Sequence, residues 1–410
     1  MSRGILYIIW NCPLRSSALV PVLARIALCL IAPGAVAQHI AGGKLVFPER
    51  RLTAYIFEGA NREVMSVVKA RIHDVNGDGP GSWVYEWRQT ADYYLAQGEH
   101  AQTAGRRDQA FTAYHTASVY YSLAAFPEYY TKAERAAFRQ HLMAYKKAGA
   151  LLEPPLEVVP VKIKGHTIDT YLHRPPGNSR PPLVLWTGGI DQYKGNSYYH
   201  LKPLLDRGFA VVTFDIAGTG ENTFWHLSPD GEFVHQAVLD YFSRRPDIDT
   251  VNIFEVGRSF GGYYAVKMAA RNDPRLRAVA AECTPVHAAF VRPVDTFEKL
   301  LASPEGRTLY GMARRMGIKP GDAKALANEN RKFSLINQGL LGKGRTIKTP
   351  LLIIDGGRDR LVPQSDMQLL AASALESEVW TLGMDGHCYA NYAGVVAAQV
   401  AEWFLQHIAK

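Results

Sequence analysis

A chain of 410 residues with 47% hydrophobic and 20% charged residues has the make-up of a soluble globular protein. Its net charge of +8 comes from lysines and arginines scattered along the chain. With no zinc-finger spacing and no aromatic-basic repeat, that charge reads as a solvated surface and argues against a nucleic-acid partner.

In chain order, the first 40 residues stand apart. Ile26 to Ala37 is an apolar run ending in Ala35-Val36-Ala37, a small-residue cleavage pattern, with Arg15 and Arg25 before it. The run is too short to span a bilayer, and Pro33-Gly34 interrupts it. A signal peptide and a disordered extension are both open readings.

Residues 41–153 read as a helical lid domain. Trp83 to Ala96, Arg107 to Ala125 and Thr131 to Ala148 carry helical spacing, with Phe111, Tyr114, Ser118 and Tyr121 on one face of the second. Gly98, Gly105 and Pro127 are read as the breaks between them. One helix pair cannot bury its own apolar face, so docking onto another domain is expected.

Pro154-Pro155 marks a change of grammar. Residues 154–410 alternate strands with helices, which predicts an α/β fold: a mostly parallel sheet with helices on both faces. Ligands of such sheets bind beyond the carboxyl ends of the strands. Between 284 and 349 the alternation stops and the sequence turns helical, as a cap inserted between two sheet strands would.

The chemistry centres on Gly257-Arg258-Ser259-Phe260-Gly261, between a β-like run and a helix-like run. That context is the pattern of a nucleophile elbow. A serine needs a base, and the base a carboxylate to orient it. The order serine, acid, histidine is met by Ser259, Asp359 and His387. Asp359 lies just past the strand Leu351–Ile354, and His387 follows the last strand. Asp355 lies at a strand terminus, and Asp366 reads as a helix N-cap. An oxyanion hole is expected from the N–H groups of Phe260 and Gly189, the latter in Thr187-Gly188-Gly189-Ile190-Asp191. Asp191, His287 and Tyr263 are candidate substrate contacts. His226 and His235 flank a helix start as surface or pocket residues. No P-loop, dinucleotide fingerprint or metal triad appears, so neither cofactor nor metal is expected. The four cysteines, Cys12, Cys29, Cys283 and Cys388, lack metal-like or disulfide-like spacing and are expected to be free thiols, Cys388 as a small buried side chain.

Together, Gly188-Gly189-Ile190-Asp191, Phe214-Asp215 with Gly218-Thr219-Gly220, His235 to Leu239, Gly257 to Gly262 and Pro274 to Val279 carry a resemblance. They look like one branch of the α/β-hydrolases. It holds the fermentation-respiration switch protein, 2,6-dihydroxypseudooxynicotine hydrolase and the fungal pigment heptaketide hydrolases. The resemblance covers roughly residues 50–408 and implies an α/β-hydrolase fold with the N-terminal helices enclosing the site. It implies carbon–carbon bond hydrolysis of β-diketone-type or polyketide substrates in members that keep the serine; the switch-protein branch lacks it. Asp191 matches an acidic residue linked to substrate positioning. Some members are dimers, so a homodimer joins a small-molecule substrate among the implied partners. The family is mostly intracellular, which favours a cytoplasmic location; a periplasmic or secreted one follows if residues 1–37 are a signal peptide. A carboxylesterase or acyl transferase, and a non-catalytic binding protein on this scaffold, are the competing readings.

Overall fold

Strands built from continuous apolar runs organise the molecule. Such runs suit a sheet covered on both faces. The computed structural model describes residues 49–126, 131–303, 306–342 and 344–409. The reading of residues 1–40, the state of Cys12 and Cys29, and the break at Pro127 lie outside the described residues.

Eight strands form one sheet in the order β1-β2-β4-β3-β5-β6-β7-β8. They are β1 (Glu157–Ile163), β2 (His166–His173), β3 (Pro182–Thr187), β4 (Ala210–Thr213), β5 (Asp249–Arg258), β6 (Leu276–Glu282), β7 (Leu351–Gly356) and β8 (Ser377–Leu382). The first two form an antiparallel hairpin, β2 runs antiparallel to β4, and all other pairings are parallel. The parallel part, with β5 near its middle, aims the carboxyl ends of β3, β5, β6 and β7 at one edge.

Among the described residues the α-helices are α1 (Glu49–Phe57), α2 (Arg62–Arg71), α3 (Trp83–Thr103), α4 (Arg107–Ala125), α5 (Lys132–Gly149), α6 (Tyr198–Leu205), α7 (Phe233–Phe242), α8 (Phe260–Ala270), α9 (Val294–Leu301), α10 (Gly306–Arg315), α11 (Ala323–Arg331), α12 (Gln364–Ala372) and α13 (Ala393–Gln406). On one face of the sheet Leu183, Leu185, Val212 and Ile253 pack with Val238 of α7 and Ala265 of α8. On the other, Val184, Val211, Phe254 and Leu352 pack with Leu201 of α6 and Phe404 of α13.

The N-terminal helices have a core of their own, rich in aromatic side chains: Trp83, Trp87, Tyr120, Tyr121, Phe138 and Tyr145. It closes against Tyr171 of β2 and Tyr193 beyond β3. Tyr145 Oη bonds His173 Nε2 at 2.9 Å, and Asn196 donates to Ser122 Oγ at 2.5 Å. Helix α5 starts with a capping box in which Thr131 and Glu134 satisfy each other's backbone N–H.

One expected break is not a break. Gly98 lies inside α3, because its role is close packing: a Cβ there would meet the Tyr114 ring of α4 at 2.4 Å. Gly105, with φ of +70°, makes the actual turn between α3 and α4.

Candidate active site

Ser259 sits between β5 and α8 with φ 51° and ψ −117°. A non-glycine residue there costs on the order of 1–3 kcal/mol and persists only when its surroundings over-determine it. Two hydrogen bonds do so: Ser259 N donates to Glu282 O at 2.8 Å, and Ser259 O accepts from Tyr263 N at 3.0 Å. The turn also needs bare backbone at Gly261, where a Cβ would lie 2.5 Å from Gly188 O. The elbow is therefore pressed against the loop after β3, and that contact brings Gly189 to the serine. A Cβ placed on Gly189 would fall 3.2 Å from Ser259 Cβ. The N–H of Phe260, in the first turn of α8, has no partner within its own helix.

The acid and base arrive from neighbouring strands. Asp359, just beyond β7, is fixed through Oδ1, which accepts from Leu361 N at 2.6 Å and Val362 N at 2.9 Å. Its Oδ2 lies 2.5 Å from His387 Nδ1, and His387 Nε2 lies 3.2 Å from Ser259 Oγ. With its Nδ1 proton held by the carboxylate, the ring presents the lone pair of Nε2 to the serine hydroxyl. Burial opposes ionisation of Asp359, but the adjoining His387, helped by the Val362 N–H and Asp355, holds the carboxyl below its ordinary value. Behind it, Asp355 at the end of β7 is pushed up to about 9 by burial, reinforced by the charge of Asp359. Asp355 therefore keeps its proton at neutral pH, next to the carboxylate that does not.

The elbow's Arg258 carries a buried network beneath the site. Its Nη1 donates to His200 Nε2 at 2.7 Å, its Nη2 donates to Cys388 O at 2.9 Å, and its Nε faces Glu282 Oε2 at 3.2 Å. Burial raises the Glu58 and Glu282 carboxyls, with Arg258 pulling both back, and lowers His200, which Arg258 lowers further.

Ser259 and His387 open into a cavity of about 190 Å³ that Gly189, Asp191 and Phe260 also line. Its walls come from α1 and from the helices between β6 and β7: Tyr55, Phe297, Leu309 and Met312 give an apolar lining. The polar end holds Arg51, which pairs with Asp191 and donates from Nη2 to Thr308 Oγ1 at 3.0 Å. Arg51 thus ties α1, the loop after β3 and α10 together.

Several expectations need correction. His287 and Tyr263 are not among the residues lining the cavity. His287 Nδ1 is taken by Ser334 Oγ at 2.7 Å, and Tyr263 is fully buried among Phe260, Phe290 and Phe333. His235 is a core residue bonded to Glu255 at 2.5 Å. Asp366 does not cap its helix; it accepts from the N–H groups of Val286, Ala288 and Ala289, folding the chain that leaves β6. Cys283 and Cys388 are joined as a disulfide with Cα atoms 5.1 Å apart, and Cys388 is half-buried on the cavity wall. Arg51, Glu58 and His200 line the cavity and were missed: they lie on helices or helix ends with no motif around them. Among the described residues, Cys283, His387 and Cys388, and Asp355, Asp359 and His387, lie close enough to share a metal ion. In the first group the disulfide ties up both sulfurs, and in the second Asp359 is already bonded to His387.

The family model for FrsA-like esterases matches residues 64–409. The chain belongs to the FrsA-like esterase family. The Esterase FrsA of Photobacterium profundum is 28% identical over 312 residues, covering 75% of this chain and 73% of the relative. That of Salmonella paratyphi B is 30% identical over 305 residues, covering 73% and 70%. Among solved structures, 2,6-dihydroxy-pseudo-oxynicotine hydrolase superposes with a TM-score of 0.72 at 22% identity over 87% of this chain and 96% of its own. AbyA5 does so with 0.68 at 23% identity over 88% and 96%. The fold is that of the α/β-hydrolases, and the protein is a hydrolase of the esterase class. None of the described helices is long and apolar enough to cross a membrane.

Proposed function

We propose that Ser259, His387 and Asp359 form the catalytic triad of an acyl-cleaving hydrolase, and that its substrate is a β-diketone or polyketide-like aromatic compound cut at a carbon–carbon bond. The observation that carries the triad is the unbroken chain from Asp359 Oδ2 through His387 to Ser259 Oγ at the cavity wall. Ser259 Oγ attacks a carbonyl carbon while its proton passes to His387 Nε2. The oxyanion is met by the N–H groups of Phe260 and Gly189. When the intermediate collapses, the carbon–carbon bond breaks and its electron pair leaves as an enolate. His387 returns the proton to the enolate carbon, releasing a ketone. Water, deprotonated by the same nitrogen, then frees the acid from Ser259 and restores the hydroxyl.

The bond choice is supported by the likeness to 2,6-dihydroxy-pseudo-oxynicotine hydrolase over 87% of this chain, N-terminal helices included, and by a largely apolar cavity. On this reading residues 41–153 act as a lid, α9 to α11 as a cap, and Asp191 with Arg51 holds the substrate's polar end. Ester cleavage is the second reading, favoured by the family's esterases, and runs through the same triad with an alkoxide leaving group. A panel pairing aryl β-diketones with aryl esters of the same acyl group separates them. Diketone cleavage that needs Ser259 supports the first; ester turnover with no diketone product overturns it. The disulfide favours an oxidising compartment, which fits residues 1–37 acting as a signal peptide.

A further inference from the structure

Strand β6 lies between the strand that carries the serine and the strand that leads to the acid. Its last residue, Glu282, accepts the Ser259 N–H at 2.8 Å, and the next residue, Cys283, donates from its N–H to Ile354 O of β7 at 2.6 Å. Cys283 is thus set by both neighbouring strands, and it is fully buried. From this point its disulfide reaches Cys388, the residue immediately after His387. Both half-cystines have left-handed backbones, φ of 45° at Cys283 and 57° at Cys388, a region a cysteine rarely visits without constraint. The histidine loop has other anchors as well: Asp359 holds the His387 ring, and Tyr389 is buried in the core beside Cys388. Arg258 holds Cys388 O, Arg358 N donates to Asp385 O at 2.9 Å, and the Asp385 carboxylate accepts from Asn391 N at 2.9 Å. The loop meets the serine through the 3.2 Å contact of His387 Nε2.

We propose that Cys283 and Cys388 are positioning residues: their disulfide fastens the His387 loop to the backbone that fixes Ser259, so that the hydrolase turns over at full rate only in its oxidised form. This rests on the triad reading. The half-buried Cys388 borders the cavity, which gives a small dithiol a route to the bond. A thiolate of the dithiol attacks one sulfur and the Cys283–Cys388 bond breaks. The second thiol then closes the dithiol into a cyclic disulfide, leaving two cysteine thiols. Two electrons and two protons pass from dithiol to protein. The freed loop keeps its fold but loses its register, and a shift of about 1 Å at a reacting group can cost on the order of 100-fold in rate.

The experiment uses the full chain carrying Cys12→Ser and Cys29→Ser, so that one cysteine pair remains. It is run with a chelator, because the freed thiols and His387 lie close enough to capture a metal. Activity on an aryl ester and labelling of Ser259 by a fluorophosphonate are followed in the oxidised protein, after dithiothreitol, and after reoxidation with oxidised dithiothreitol. The expected result is a loss of at least tenfold in kcat and in labelling rate on reduction. KM stays within twofold, circular dichroism at the assay temperature is unchanged, and the activity returns on reoxidation. Cys283→Ser/Cys388→Ser should match the reduced protein and ignore the reductant. Equal kcat and equal labelling in both forms overturn the proposal and leave the triad standing. A loss that tracks unfolding in the circular dichroism also overturns it, because the bond would then serve stability alone. Absence of labelling in the oxidised, folded protein overturns the triad and this proposal with it.

Discussion

The sheet half and the helical half of this molecule divide the work differently. Ser259, Asp359 and His387 all stand at the ends of strands, on loops whose backbone is fixed by adjacent strands. Helices α1, α9 and α10 add Tyr55, Phe297, Leu309 and Met312 to the cavity's apolar wall, and among the described residues none of these four hydrogen-bonds Ser259, Asp359 or His387. On the proposed mechanism, one half holds the reacting atoms in register and the other selects the molecule that reaches them. Changes at strand ends should therefore act on kcat, and changes in the helices on KM or stability.

The sharpest break of that contrast is Ser259→Ala, expected to lower kcat on the order of 10⁶-fold with an unchanged melting temperature. Steady-state kinetics beside a thermal melt checks both. Asp359→Asn should cost on the order of 10⁴-fold, because an amide in place of the carboxylate favours the wrong histidine tautomer. On the helical side, Arg51→Ala removes the link among α1, Asp191 and Thr308. A rise in KM of about tenfold with kcat within threefold is expected, from the loss of a charge-assisted contact worth about 1.5–3 kcal/mol. A kcat collapse there would mean the two halves are not separable. Gly98→Ala drives a methyl into the Tyr114 ring and should destabilise by about 1–3 kcal/mol while leaving kcat alone, as a denaturant titration would report.

A further test reads stability against pH, at Asp355. The folded chain keeps its proton up to about 9, whereas an unfolded aspartate releases it near 3.9. Between those values the folded state binds more protons, so stability falls as pH rises. Asp355→Asn does not titrate. Its melting temperature relative to the wild type should climb from about pH 5 to about pH 8, and its amide can still donate to Asp359. A gap that stays flat or shrinks with pH contradicts the assignment.

Much of the sheet half was legible because its signals are local. The run into Ser259, the strand before Asp359 and the order of the three residues are all written over a few positions each, and β7 contains the Leu351–Ile354 run. The helical half was legible as helices but not as packing. Gly98 read as a break because sequence shows a missing side chain, not the Tyr114 ring that fills its place. The disulfide was hidden by a separation of 105 residues, which only the adjacency of β6, β7 and the last loop closes. Tyr263 follows the elbow and His287 follows the end of β6, yet an aromatic cluster and Ser334 claim them in the fold.

The most direct measurement is mass-spectrometric mapping of a fluorophosphonate adduct on the folded wild-type chain and on His387→Ala. A single adduct on Ser259, formed rapidly in the wild type and on the order of 10³-fold more slowly in the variant, is the expected result. No adduct on Ser259, or equal rates in both proteins, would contradict a serine activated by His387.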